Sequence, residues 1–135
     1  DDERIAIGLK SPGAGHINIG FEPSRRMSDA GIIMAAVVDG RIVTRDDYGV
    51  SQTSHQPDTS LGGTDDVIEA AGTEDAGGTT VEFVFPLDSG DPYDAALSPG
   101  QTVTVIISYN DRTDGFDAYH GFGNRGVGTI TLDMP

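Results

Sequence analysis

Two residues far apart in this chain carry chemistry that few side-chain pairs offer. Met27 precedes an aliphatic run in "RRMSDAGIIMAAVVDGRIVTRDDYG", and His120 stands in "FDAYHGFGNRGVGTITL". A thioether sulfur and an imidazole nitrogen together form an axial ligand set for a low-spin haem iron. Both fall on expected loops or strand edges, where a side chain is free to reach a bound group. Arg25 and Arg26 flank Met27, and guanidinium matches carboxylate bidentately, so the pair suits haem propionates. Tyr119 and Phe122 flank His120 in a Gly-rich stretch that would let a flat macrocycle approach the backbone. Each residue has a plainer reading. Met27 could fill a gap or lie on the surface, the arginines could be solvated, and the aromatics around His120 could stack on a sugar.

A second set of residues offers hard oxygen ligands. Asp65, Asp66, Glu69, Asp88, Asp91 and Asp94 are of the type calcium takes, although "LDSGDPYD" lacks EF-hand spacing and solvated acids in a turn are the ordinary alternative. His55, in "TSHQPD", reads as an anchor of its loop through Asp58. No G-x-S-x-G elbow, phosphate-binding loop or H-E-x-x-H pair is present. With no evident cleft for a carboxylate pair either, the chain is not expected to be an enzyme in its own right.

Composition narrows the partners. The 135 residues are 36% hydrophobic, enough for one core and too few for two, so one domain over 1–135 is expected. The formal charge is -14, with Lys10 the one lysine. Such a surface repels polyphosphate and anionic lipid, which argues against nucleic acid and membrane surfaces as partners, and it suits a salt-adapted source. There are no cysteines, so disulfides, thiolate metal sites and thiol nucleophiles are excluded. No run approaches the roughly 20 apolar residues of a membrane helix. If the protein is exported, its signal lies outside this sequence.

The elements that must position these groups are short, rich in Val, Ile and Phe, and punctuated by Gly, Pro and Asp. Strands are expected at Arg4–Leu9, His16–Phe21, Gly31–Val38, Arg41–Arg45, Thr79–Phe85, Thr102–Asn110 and Gly128–Leu132. Asp39-Gly40 between two aliphatic arms is the strongest hairpin signal. A single helical turn is expected over Asp65–Ala71, inside a loop, Asp46–Gly78, with little strand character. The pattern predicts an all-β, antiparallel sandwich.

The order of "GAGHINIGFEP", Met27, "DGRIVTRDDYG", "SHQPDTSLGGTDDVIEAAGTE", "GGTTVEFVFPLDSGDPYDAALSPG" and a late His120 before "NRGVGTITL" resembles the DOMON domain family over nearly the whole chain. The resemblance implies an immunoglobulin-like β-sandwich, usually extracellular or at the cell surface, that binds b-type haem or sugar. Its haem-binding members are similar to cytochrome domains of cellobiose dehydrogenase and haem subunits of ethylbenzene dehydrogenase-like enzymes. By position the family's axial ligands fall on Met27 and His120. The expected function is one-electron transfer by haem b to a redox partner protein or fused redox domain, with saccharide binding through Tyr48, Phe116, Tyr119 and Phe122 as the rival. His16, where many members carry tryptophan, and Phe85, where many carry arginine, depart from the pattern.

Overall fold

The computed structural model describes residues 3–134, and among them there is no α-helix. Nine strands form: β1 (Arg4–Ser11), β2 (Ile17–Phe21), β3 (Gly31–Val38), β4 (Arg41–Gly49), β5 (His55–Pro57), β6 (Glu69–Asp75), β7 (Gly78–Pro86), β8 (Thr102–Tyr109) and β9 (Arg125–Thr131). They pair antiparallel into a three-stranded sheet, β1-β7-β6, and a six-stranded sheet, β5-β4-β3-β2-β8-β9. The two sheets pack face to face as a sandwich, as the alternation of apolar residues predicts.

Period-two alternation decides which side of the large sheet each residue serves. Ile17, Ile19 and Phe21 of β2, with Ile33, Ala35 and Val37 of β3, point inward and meet Val81, Phe83 and Phe85 of β7 in the main core. Ile32 and Met34 of β3 point outward and are buried all the same, in a second cluster with Ala30, Met27, Ile106 and Phe116. β3 is therefore apolar on both faces, which explains its unbroken hydrophobic run.

The Asp39-Gly40 signal holds. Val38 pairs with Arg41, and both loop residues have positive φ, 50° and 75°, as a type I′ turn requires. Within Asp46–Gly78 the structure departs from expectation. The Asp65–Ala71 segment is not helical: its last three residues begin β6, which returns through the two-residue turn Ala76–Gly77 to β7. β6 reads "EAAGTED", poor in β-branched residues, and is extended because β7 supplies a ladder along its full length. Tertiary pairing outweighs weak propensity here. β4 likewise runs four residues past the expected Arg45, and a short 3-10 turn forms at Asp58–Leu61.

Phe83 is fully buried at the centre of the core. Phe83→Ala should lower unfolding stability by about 3–5 kcal/mol. The half-exposed Val43→Ala should change it by no more than about 0.5 kcal/mol; a denaturant titration of both checks the difference.

Candidate functional site

The site is organised by two adjacent residues on β4. Asp46 pairs in register with the inward-facing Ile33, whereas Asp47 pairs with the outward-facing Ile32. One backbone step thus sends two carboxylates to opposite faces of the same sheet, and each becomes the centre of a different polar cluster.

On the outer face, the segment joining β8 to β9 lies across the sheet as a strap. Phe116 packs into the cluster of Met27, Met34 and Ile106 and meets the His16 ring edge-on at 6.4 Å between centroids. Asp117 accepts a hydrogen bond from Arg45 (2.9 Å), whose guanidinium stands 5.4 Å from the Phe116 ring centroid. His16 is buried, and its Nε2–H donates to the Ala118 carbonyl (2.9 Å) while Nδ1 accepts from Asn18 (2.9 Å). Burial disfavours the imidazolium and, outweighing these two hydrogen bonds, lowers the His16 pKa.

Asp47 has no solvent exposure and is gripped from two sides. Arg45 donates to it at 2.7 and 2.8 Å, and His55 Nδ1 donates at 2.6 Å. Desolvation alone would raise its pKa, yet the His55 and Arg45 contacts prevail and lower it. His55 does anchor its loop, but through Asp47, because β5 pairs with the end of β4 and brings the ring beside that strand. The expected partner Asp58 faces elsewhere.

The structure does not bring Met27 and His120 together. Met27 follows the Phe21 end of β2, where its carbonyl meets the Ala30 amide. His120 sits at the other end, where β8 finishes opposite Ile17. There Asn110 donates to the Tyr119 carbonyl and Asn124 to that of His120. The intervening length of β2 is four residue steps, roughly 13 Å, and Phe116 occupies the surface between. His120 Nδ1 lies 2.7 Å from the Gly121 carbonyl, and the ring packs against Tyr119 at 4.7 Å between centroids. One iron would need sulfur and imidazole on opposite sides of a single atom, so the residues as arranged do not fit a haem ligated by both. Arg25 and Arg26 lie exposed on the loop before β3, while Tyr119 and Phe122 are 64% and 80% exposed. Phe122 carries the Arg125 guanidinium over its ring at 4.8 Å.

The inner-face carboxylate builds a centre the sequence only partly foretold. Asp46 converges with Asp66 and Asp94, and Asp58 with Asp91 and Asp94. In each group one ligand oxygen per residue lies within 4.8 Å of the others. Asp46, Asp66 and Asp94 line a cavity of about 10 Å³ together with Phe21, Ile33 and Leu97, which is room for one water or one bare ion. The centre is short of donors. Asp46 Oδ2 accepts from the Asp66 amide (3.0 Å), but Asp46 Oδ1 and both oxygens of the fully buried Asp58 have no hydrogen-bond partner. Burial, then mutual repulsion, pushes Asp58 up to about 8. Burial, only partly offset by the Asp66 amide, pushes Asp46 up to about 9, and Asp94 rises to about 6. Of the acids singled out from sequence, Asp66, Asp91 and Asp94 take part. Asp65, Glu69 and Asp88 are exposed, with Asp65 and Asp88 receiving local backbone amides instead. Asp46 and Asp58 were missed; the signal for Asp46 was an acidic pair at a strand end, one member of which must face the core, and Asp58 carried none.

The DOMON domain family matches this chain over residues 1–110. DBH-like monooxygenase protein 1 of Homo sapiens is 29% identical over 134 residues, covering 98% of this chain and 21% of that protein. The Mus musculus protein of the same name is 29% identical over 135 residues, again 98% of the chain and 21% of the relative. The chain thus spans about a fifth of the length of these relatives.

The two carboxylates bound to Arg45 respond differently to mutation. Asp47→Ala should cost about 3 kcal/mol, since it strips a paired cation of a buried partner. Asp117→Ala, removing an exposed partner of the same arginine, should cost about 0.2–1 kcal/mol. Because the Asp47 pKa is lowered, its contribution is complete above the ordinary carboxylate range and fades as pH falls below about 4; urea midpoints at pH 7 and pH 3 test both statements.

Proposed function

The chain belongs to the DOMON domain family, and from that premise we propose that it is a non-catalytic, exported ligand-binding module whose inner acidic centre holds a cation of the calcium class. The observation that carries this reading is the two Asp groups that share Asp94, with partnerless buried oxygens on Asp46 and Asp58 and an ion-sized cavity lined by Asp46, Asp66 and Asp94. A buried carboxylate without a donor is costly. The centre relieves that cost by holding protons or by holding a cation. All its ligand groups are carboxylate oxygens, with no sulfur or imidazole among them, which suits calcium over zinc or copper. Strand β4, the segment between β5 and β6 and the segment between β7 and β8 meet at this centre, and the ion would fix their relative positions.

The sign of the pH dependence separates proton from ion. A carboxyl whose native pKa is raised binds protons on folding, so its stabilising effect is complete below about pH 4 and is lost as pH rises through its native value. In chelator the fold should therefore weaken between pH 5 and pH 9. Calcium at a hundredfold excess over its dissociation constant should restore about 2.7 kcal/mol, and the rise in melting temperature should be larger at pH 8 than at pH 5. Asp58→Asn should remove most of that rise and melt higher than the parent in chelator at pH 8. Equal melting with calcium and chelator at pH 8, in parent and variant alike, overturns the reading.

For the ligand, the observation that supports a saccharide is the exposure of Tyr119 and Phe122 on one loop beside Asn124 and Arg125. Planar rings open to solvent with amide groups close by suit the face of a saccharide. Haem b with electron transfer to a redox partner remains a different arrangement of the same segment, in which the strap would have to lift so that His120 could approach Met27. Titration with haem and with a glycan panel distinguishes them. Saccharide binding weakened about tenfold by Tyr119→Ala or Phe122→Ala supports the first reading, on the scale of lost aromatic stacking. Retention of haem with a low-spin spectrum that Met27→Ala abolishes supports the second.

A further inference from the structure

The strap between β8 and β9 is fixed by backbone at its roots and pinned by side chains in its middle. At the roots Gly15 donates to the Asn110 carbonyl, His16 to that of Thr113, and Tyr109 to that of Asn124. Among the described residues, the stretch 116–118 has no backbone hydrogen bond to the sheet, and the Ala118 amide turns back to the Gly115 carbonyl instead. Three contacts hold this stretch down: Phe116 in the outer apolar cluster, Asp117 on Arg45, and the His16 ring under the Ala118 carbonyl. Gly115 stands before it, and Gly121, with φ 92°, and Gly123 stand behind, so the chain can pivot on both sides.

The His16 contact is the one that a proton undoes. Donation from Nε2 to Ala118 leaves Nδ1 without a proton, and there the Asn18 amide donates. The same amide nitrogen donates to the Ser108 carbonyl (3.4 Å) and hydroxyl (3.0 Å), which keeps it turned this way. An imidazolium carries two donors, so its second N–H would point at another N–H. The ring is 1% exposed, and water cannot take that place while the strap is closed. Charge on His120, in the strap, or on His55, on β5, adds to the burial that opposes protonation. All three histidines of the chain thus bear on one place. The other charged groups around it are Arg45, Asp47 and Asp117, with Asp111 and Asp114 at the root of the strap. At Asp47 burial is outweighed by His55 and Arg45, and at Asp117 Arg45 donates a hydrogen bond. Both carboxyls are held below their ordinary range, so neither takes up a proton between pH 7 and pH 5.

We propose that the strap is an acid-released lid, closed over the apolar face of Ala30, Ile32 and Met34 at neutral pH and lifted when His16 takes up a proton. On lifting, both ring nitrogens donate to water and the Phe116 ring leaves Met27, Met34 and Ile106. The sign follows from linkage. Opening returns His16 to its ordinary value of 6.5 and closing holds it lower, so the open form binds the proton more readily and gains as pH falls. One proton taken up on opening raises the open-to-closed ratio by up to about tenfold per pH unit. The acidic centre on the inner face responds the other way, because its raised carboxyls bind protons on folding and hold the sandwich more firmly in acid. Lid release is therefore separable from unfolding, and it does not depend on which ligand the uncovered face receives.

Oxidation of methionine by peroxide reads the lid. Met34 lies beneath it at 3% exposure, whereas Met134 is 73% exposed and serves as the reference within the same chain. The ratio of their initial oxidation rates, followed by peptide mass spectrometry at constant calcium, tracks the open population. Between pH 7 and pH 5 that ratio should rise about tenfold while the urea midpoint does not fall. His16→Gln keeps a donor for Ala118 but binds no proton, and should flatten the dependence on pH. Asp117→Asn weakens the exposed end of the strap, and should raise the ratio at both pH values while preserving its slope. In the parent, a chemical-shift titration of the His16 ring should share its midpoint with the rise in Met34 oxidation. A ratio that does not change with pH overturns the proposal, as does a slope that survives His16→Gln, is lost in Asp117→Asn or is matched by a falling urea midpoint. Protonation of the His16 ring while Met34 stays protected overturns it without any variant.

Discussion

The cost of placing carboxylates against an apolar core governs this molecule more than any single contact. The main core can be closed only by the loops at one end of the sandwich, and those loops are acidic. Asp46 must enter the interior because β4 alternates, and Asp58, Asp66 and Asp94 crowd around it. Left ionised and alone they would oppose folding. Proton or ion, something must neutralise them before Phe21, Ile33 and Leu97 can pack as they do.

Asp47 shows the other solution to the same problem. It is as buried as Asp58, yet Arg45 and His55 meet it with three short hydrogen bonds. The charge is compensated by protein groups, and the surplus donor of Arg45 reaches Asp117 to hold the strap. Neighbouring residues of one type therefore behave oppositely. Both are raised by burial, but the His55 and Arg45 contacts outweigh it at Asp47, whereas at Asp46 the Asp66 amide offsets it only in part and the neighbouring acids add to it.

How much of this was legible in the sequence depends on whether the signal was local. The β3–β4 hairpin was, since Asp39-Gly40 encodes its own turn, and so were the alternating apolar residues of β1, β7 and β8. β6 was not, because "EAAGTED" has no strand preference and owes its conformation to β7. The acidic centre was half legible. Asp66, Asp91 and Asp94 stand out in two polar loops, whereas Asp46 looks like the solvated end of a strand until its register with Ile33 is known. Met27 and His120 show the converse. Their chemistry was evident, but spacing along the chain says nothing about which end of β2 each occupies. His16 drew notice only as a departure from a pattern, although it is the buried ring on which the strap rests.

The acidic centre has a kinetic side as well. Its members come from positions 46, 58, 66, 91 and 94, so they assemble only after β4, the 3-10 turn and the segment following β7 have all come into place. Contacts of such long sequence separation form late on the route to the native state. A cation held by either group of three would be absent from the transition state and would not hasten its formation. Its effect falls on the return journey, where it must be released before the end of the sandwich can open. The ion would act as a brake on unfolding, lengthening the lifetime of the folded domain without changing how fast it forms.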